Sequence, residues 1–88
     1  MRITRVKIVP IDAGNLVAFA DITIDNCFRV RDLKVFRRLT GYYIAMPQLK
    51  ARDGKSRETA YAINAKTRKM IEDAIIAEYE RVAGKRAE

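Results

Sequence analysis

The sequence predicts an α+β fold: an antiparallel sheet of four to five strands with one long C-terminal α-helix packed on one face. Three observations lead there. The first half alternates apolar and polar residues between short turn clusters, the period-two pattern of half-buried strands. Only the last third, from Ala62 to Ala83, carries apolar residues at helical spacing. Strands followed by a single helix, with no strand–helix alternation, put that helix on an antiparallel sheet. A chain of 88 residues makes one domain, read here as 1–84 with a frayed tail over 85–88.

Taken in order, Arg2 to Val9 reads as a strand with Val6 and Ile8 on one face and Arg5 and Lys7 on the other. Pro10 is expected to end it, and Asp12-Ala13-Gly14-Asn15 to turn the chain. The next strand runs from Leu16 to Ile24. One of its rows, Leu16, Ala18, Ala20, Ile22 and Ile24, is apolar with small residues in the middle, suited to a helix lying close. The opposite row is Val17, Phe19, Asp21 and Thr23. Asp25-Asn26 fits a two-residue hairpin loop, since both residues tolerate positive φ. Pairing across such a loop sets Ile24 against Cys27 and Ala20 against Arg31. The third strand, Cys27 to Phe36, then changes phase: Phe28 and Val30 point with Phe19, Leu33 and Val35 with Ala18. A bulge near Arg31-Asp32 accounts for this; so does a regular strand whose Arg29 and Arg31 project beyond the helix edge. Tyr42 to Met46 is a short strand stopped by Pro47, and Gln48 to Arg57 a polar loop turning at Asp53-Gly54. Glu58 to Ile63 reads as a brief last strand.

The helix has legible ends. Asn64 is a good N-cap, and Gly84 suits the left-handed residue that follows a helix. Between them lie about nineteen residues, roughly 28 Å at 1.5 Å per residue. Ile71, Ala74, Ile75, Tyr79 and Val82 share the arc that should meet the sheet, with Lys66, Lys69, Asp73 and Glu80 opposite. Glu78 and Arg68 project towards the apolar side. Glu78 is therefore expected to meet an arginine or a tyrosine hydroxyl of the sheet, because an unpaired buried charge costs several kcal/mol.

Composition narrows the function. The formal charge is +7, and residues 50–71 hold seven cations (Lys50, Arg52, Lys55, Arg57, Lys66, Arg68, Lys69) against Asp53 and Glu58. A field concentrated on one loop and one helix start favours an anionic partner, nucleic acid first, although a merely solvated surface has the same composition. Lys66, Arg68 and Lys69 oppose the helix dipole, an arrangement that makes sense if a phosphate docks on the free amides beside them. Arg68, turned towards the sheet, suits an internal ion pair equally well. Lys50, Arg52, Lys55 and Arg57 suit a loop closing over phosphate backbone.

The chain has no histidine, hence neither the commonest general base nor the commonest metal ligand. Asp21, Thr23 and Asp25 form only a weak acid-pair pattern. The expectation is a protein that is not an enzyme, with no cofactor, no metal and no small-molecule substrate. No apolar run approaches the roughly eighteen residues of a membrane span, no signal peptide is visible, and one cysteine makes no disulfide framework. A cytoplasmic protein without membrane insertion is the simplest reading. One helix covers one sheet face, so Val17, Phe19, Phe28 and Val30 are expected to form an exposed apolar patch and a twofold dimer interface. Only one of Tyr42 and Tyr43 can face the core; the other is assigned to the same interface, with base stacking as the alternative.

Several blocks of residues carry a resemblance. Ile22-Thr23-Ile24-Asp25, Phe28-Arg29-Val30-Arg31-Asp32-Leu33-Lys34-Val35, Gly41-Tyr42-Tyr43-Ile44-Ala45-Met46-Pro47, Asp53-Gly54-Lys55 and Ile63-Asn64-Ala65-Lys66-Thr67-Arg68-Lys69 appear in collinear order. With them, the chain resembles the stage V sporulation protein G (septation protein) family over nearly its whole length. It departs in having Ala62 where the family usually has proline before the Ile-Asn pair. The resemblance implies a small bacterial protein that dimerises through its sheet and binds DNA, in some members RNA, with a regulatory role in septation, sporulation or related gene expression. It places the nucleic-acid contacts at Lys66, Arg68 and Lys69. The alternative is a protein-interaction adaptor of the division machinery, with the cations only solubilising.

Overall fold

The computed structural model describes residues 1–87, with side chains through residue 84. A four-stranded antiparallel sheet is ordered β1-β2-β3-β4, from strands Ile3–Ala13, Leu16–Ile24, Phe28–Arg38 and Gly41–Ala45. A separate two-stranded hairpin, β5 (Gln48–Lys50) with β6 (Ser56–Glu58), leads to the helix α1, Ala65–Ala87. The arrangement is the α+β class expected, with the helix on one sheet face.

Ala18, Ala20 and Ile22 of β2, Leu33 and Val35 of β3 and Ile44 of β4 meet Ile71, Ile75 and Tyr79 of α1, all buried. The helix backbone runs nearest β1, whose Ile3, Val6 and Ile8 pack against the same core, and the small alanines of β2 leave room for the side chains of Ile71, Ile75 and Tyr79.

Three local expectations fail, each for a physical reason. Pro10 does not end β1, which continues to Ala13. β1 is an edge strand, where a residue without an amide proton is tolerated, and the pairing shifts just after Pro10. Gly84 lies inside the helix and has no positive φ, because Lys85, Arg86 and Ala87 are all good helix formers and nothing obliges a stop. The frayed tail expected over 85–88 lies outside the residues described in full. The segment after Glu58 is irregular, and the hairpin ahead of it is where the last pairing occurs: Leu49 opposes Arg57 around the Asp53-Gly54 turn. Lys55 donates its amide to Asp53 Oδ1 at 3.0 Å, and Thr59 closes the hairpin base with an amide bond of 2.8 Å to the Pro47 carbonyl.

The turn between β2 and β3 decides which residues face the core. Asp25 and Asn26 both take positive φ (52° and 58°), as expected, but Cys27 joins the loop and Ile24 pairs with Phe28. One residue of register exchanges the two faces of a strand. Val30 therefore opposes Ile22, on the helix side. A bulge then intervenes, with Asp32 at φ 68°, after which Leu33 opposes Ala20. Of the two accounts of the phase change, the bulge holds.

Candidate nucleic-acid interface

Asn64 makes the start of the helix. Its Oδ1 accepts from the Thr67 amide at 2.8 Å and its carbonyl from the Arg68 amide at 3.2 Å, the geometry of an N-cap. The first turn contains no acidic residue. Lys66 and Lys69 are exposed beside it, and Lys69 reaches Asp73 one turn on at 3.9 Å, a solvated pair of small energetic weight.

Arg68 lies differently. Its Nη2 donates to the Ile44 carbonyl at 2.9 Å, its Nε to Glu72 at 3.3 Å, and its guanidinium stands 5.9 Å from the centre of the Tyr43 ring. β4 is the edge strand opposite β1, and Arg68 satisfies one of its main-chain acceptors. Half-buried and thus engaged, Arg68 holds helix to sheet. A groove lined by Tyr42, Ile63, Arg68, Lys69, Glu72 and Ile76 runs along this side.

Lys50, Arg52, Lys55 and Arg57 are all exposed on the β5–β6 hairpin. None of them, nor Lys66, takes part in an ion pair among the described residues. The hairpin base and the helix start are neighbours: Met46, Pro47, Ala60, Tyr61 and Ala62 line an apolar hollow together with Thr67 and Ile71.

The structure distributes the apolar residues expected at a dimer interface over both faces. Val30 packs against the core because of the turn register, and Val17 does so because a bulge between Leu16 and Ala18 tips it there. Phe28, 63% exposed, sits on the helix side at the mouth of the apolar hollow. Tyr42 is the core-facing tyrosine, its ring 5.4 Å from that of Tyr79 and edge-on to it. Of the residues expected at that interface, Phe19 and Tyr43 alone look out from the helix-free face, where Val9 and Phe36 lie beside them, so the single patch expected from Val17, Phe19, Phe28 and Val30 does not form. Glu78 does find an arginine, but on its own helix: Arg81 donates to both carboxylate oxygens, which holds the Arg81 pKa above its ordinary value. Asp25 is engaged in its turn, accepting from the Arg2 amide at 2.9 Å. No cluster of three or more metal-ligating side chains occurs among the described residues, and none of their helices is long and apolar enough to cross a membrane.

The model of the SpoVG family matches residues 1–81. The chain belongs to the SpoVG family. Relatives named septation protein SpoVG include one from Bdellovibrio bacteriovorus, 47% identical over 81 residues that cover 92% of this chain and 75% of the relative. The Myxococcus xanthus protein is 46% identical, covering 92% and 82%. That of Acetivibrio thermocellus is 46% identical over 83 residues, covering 93% and 88%. Residues 1–81 of the SpoVG match include the whole sheet, the hairpin, the capped helix start and the core-facing arc as far as Tyr79.

Sequence reasoning missed the cations of the helix-free sheet face. Arg5, Lys7, Arg29 and Lys34 pair with, or lie beside, the outward row of β2. The signal was present in the alternation of β1, where Arg5 and Lys7 share one face; for β3 it needed the correct register.

Proposed function

We propose that this SpoVG-family chain is a homodimeric, non-enzymatic regulatory protein that binds DNA or RNA and acts in septation, sporulation or related gene control. The observation that carries the reading is the capped helix start, with the Ala65 and Lys66 amides outside the cap, no acidic residue in the first turn and Lys66 and Lys69 exposed to solvent. Amides and ammonium groups there attract the same phosphate. Lys50, Arg52, Lys55 and Arg57 close over the backbone from the hairpin. Arg68 contributes by holding the helix start against β4 and lends its charge from behind.

The twofold partner docks on the apolar hollow ringed by Met1, Phe28 and Tyr61, each more than half exposed. Thr67 and Ile71 line the same hollow, so pairing there sets the two helix starts side by side and doubles the cationic surface. The experiment is a titration of duplex DNA with the wild type and with Lys66→Ala/Lys69→Ala at several salt concentrations. Loss of affinity with a salt slope reduced by about two units supports the reading, at about one unit per phosphate contact. Unchanged affinity and slope in a folded variant removes these residues from the site.

A second reading, an adaptor for a division protein, is favoured by the same exposed hollow and by the septation names of the relatives. Nucleic acid that co-purifies with the protein and leaves on a salt wash distinguishes the first reading from the second.

A further inference from the structure

The sheet face turned away from the helix has no part in the reading above, yet it is strongly patterned. Strand register puts Arg5 opposite Thr23, Lys7 opposite Asp21 and Val9 opposite Phe19, and on the other flank Thr23 opposite Arg29 and Phe19 opposite Lys34. The outward row of β2 is thus the floor of a track with cations along both sides. β1 supplies Arg5 and Lys7; β3 supplies Arg29, Arg31 and Lys34. Neighbouring cations on one strand are roughly 6.8 Å apart, and the two flanking strands about 9.6 Å. Arg5, Lys7, Arg29 and Arg31 are exposed.

The one carboxylate on this floor is largely engaged. Asp21 accepts from the Asp32 amide at 3.4 Å and stands 4.0 Å from Arg31, so it fixes the bulge and offsets one charge of five. Further along the same face the track becomes aromatic. Phe36 pairs with Tyr43 across β3 and β4, ring centres 6.3 Å apart, the Arg38 guanidinium stacks over one side of the Tyr43 ring at 4.5 Å, and Phe19 lies one row nearer the cations. Cations leading into exposed or half-exposed rings on an open sheet combine backbone attraction with stacking platforms for unpaired bases. A duplex keeps its bases stacked inside and engages only the cations. A second copy laid face to face on the cationic half would oppose like charges, which disfavours it as the occupant.

We infer that the helix-free sheet face binds a single-stranded polynucleotide, its phosphates along Arg5, Lys7, Arg29 and Arg31 and its bases against Phe19, Phe36 and Tyr43. This surface lies across the sheet from the helix start and does not depend on it. One chain then carries two nucleic-acid surfaces of different preference.

The test titrates a labelled oligo(dT) 20-mer and a 20-base-pair duplex with the full chain, Arg5→Ala/Arg29→Ala, Tyr43→Leu and Lys66→Ala/Lys69→Ala, with circular dichroism on each and sedimentation for oligomeric state. Arg5→Ala/Arg29→Ala should lose roughly tenfold or more in single-strand affinity, with a salt slope lower by about one and a half units and a smaller loss on duplex. Tyr43→Leu should weaken the single strand about five- to tenfold or more without changing the slope. Lys66→Ala/Lys69→Ala should spare the single strand. The inference is overturned if the arginine variant keeps wild-type single-strand affinity, if both substrates weaken equally, or if that variant dissociates the dimer, which would make the face a contact between copies. Failure of the helix-start reading is separate: it shows as duplex affinity unchanged in Lys66→Ala/Lys69→Ala.

Discussion

Arg68 Nη2 donates to the carbonyl oxygen of Ile44 at 2.9 Å, tying the cationic start of the helix to an edge strand of the sheet. A residue that by charge and position belongs with Lys66 and Lys69 is thereby engaged in holding two elements together. The same contact covers part of an open strand edge, which reduces its capacity to pair with another chain.

Removing that contact should cost stability before it costs binding. Arg68→Ala is expected to lower unfolding free energy by about 1–2 kcal/mol, since a charged donor leaves a main-chain acceptor behind. Lys69→Ala, losing only a solvated pair, should change it by less than about 0.5 kcal/mol. Urea unfolding followed by circular dichroism compares the two, and equal losses would contradict the structural role of Arg68.

The N-cap gives an independent check of where the helix begins. Asn64→Ala should destabilise by about 1 kcal/mol, whereas Asn64→Ser or Asn64→Asp should retain most of the stability. Thermal melts are sufficient. An Asn64→Ala melt identical to wild type would mean that the helix starts elsewhere.

The bulge predicts an unusual ranking at one position. Asp32 holds φ 68°, where glycine is at ease and a β-branched residue is strained. Asp32→Gly should leave the unfolding midpoint close to wild type, its backbone relief offsetting the lost side chain. Asp32→Val should destabilise by about 1–2 kcal/mol or more. Midpoints for the two variants in the reverse order would argue against the bulge and the register it sets.

Packing under the helix should respond to truncation. Ile75 is fully buried between the helix and the sheet. Ile75→Ala is expected to cost about 2–5 kcal/mol, because removed contacts and the residual cavity add. Denaturant unfolding that returned a loss below about 1 kcal/mol would mean that Ile75 is not packed in the core between helix and sheet.

Much of this architecture was legible in the residues. The helix residues Ile71, Ile75 and Tyr79 at the core, the cap at Asn64, the small-residue row of β2 and the turns at Asp25-Asn26 and Asp53-Gly54 all follow from local periodicity and backbone preference, whereas the flank of the arc is Ile76 and Ala83 in place of the expected Ala74 and Val82. The cationic helix start and hairpin were equally visible, since charge along a chain needs no fold to be counted. The cationic sheet face was not, because its two flanks come from strands more than twenty residues apart.

What the sequence by itself determined is therefore the set of elements and the chemistry each carries. Only the tertiary structure decided which way Val30 and Phe28 face, that Pro10 lies within an edge strand, and that Arg68 turns to Ile44. The physical reason is common to all three. Side chains alternate along a strand, so a loop one residue longer reverses a face, and whether a proline or an arginine is tolerated depends on the neighbours the sheet supplies.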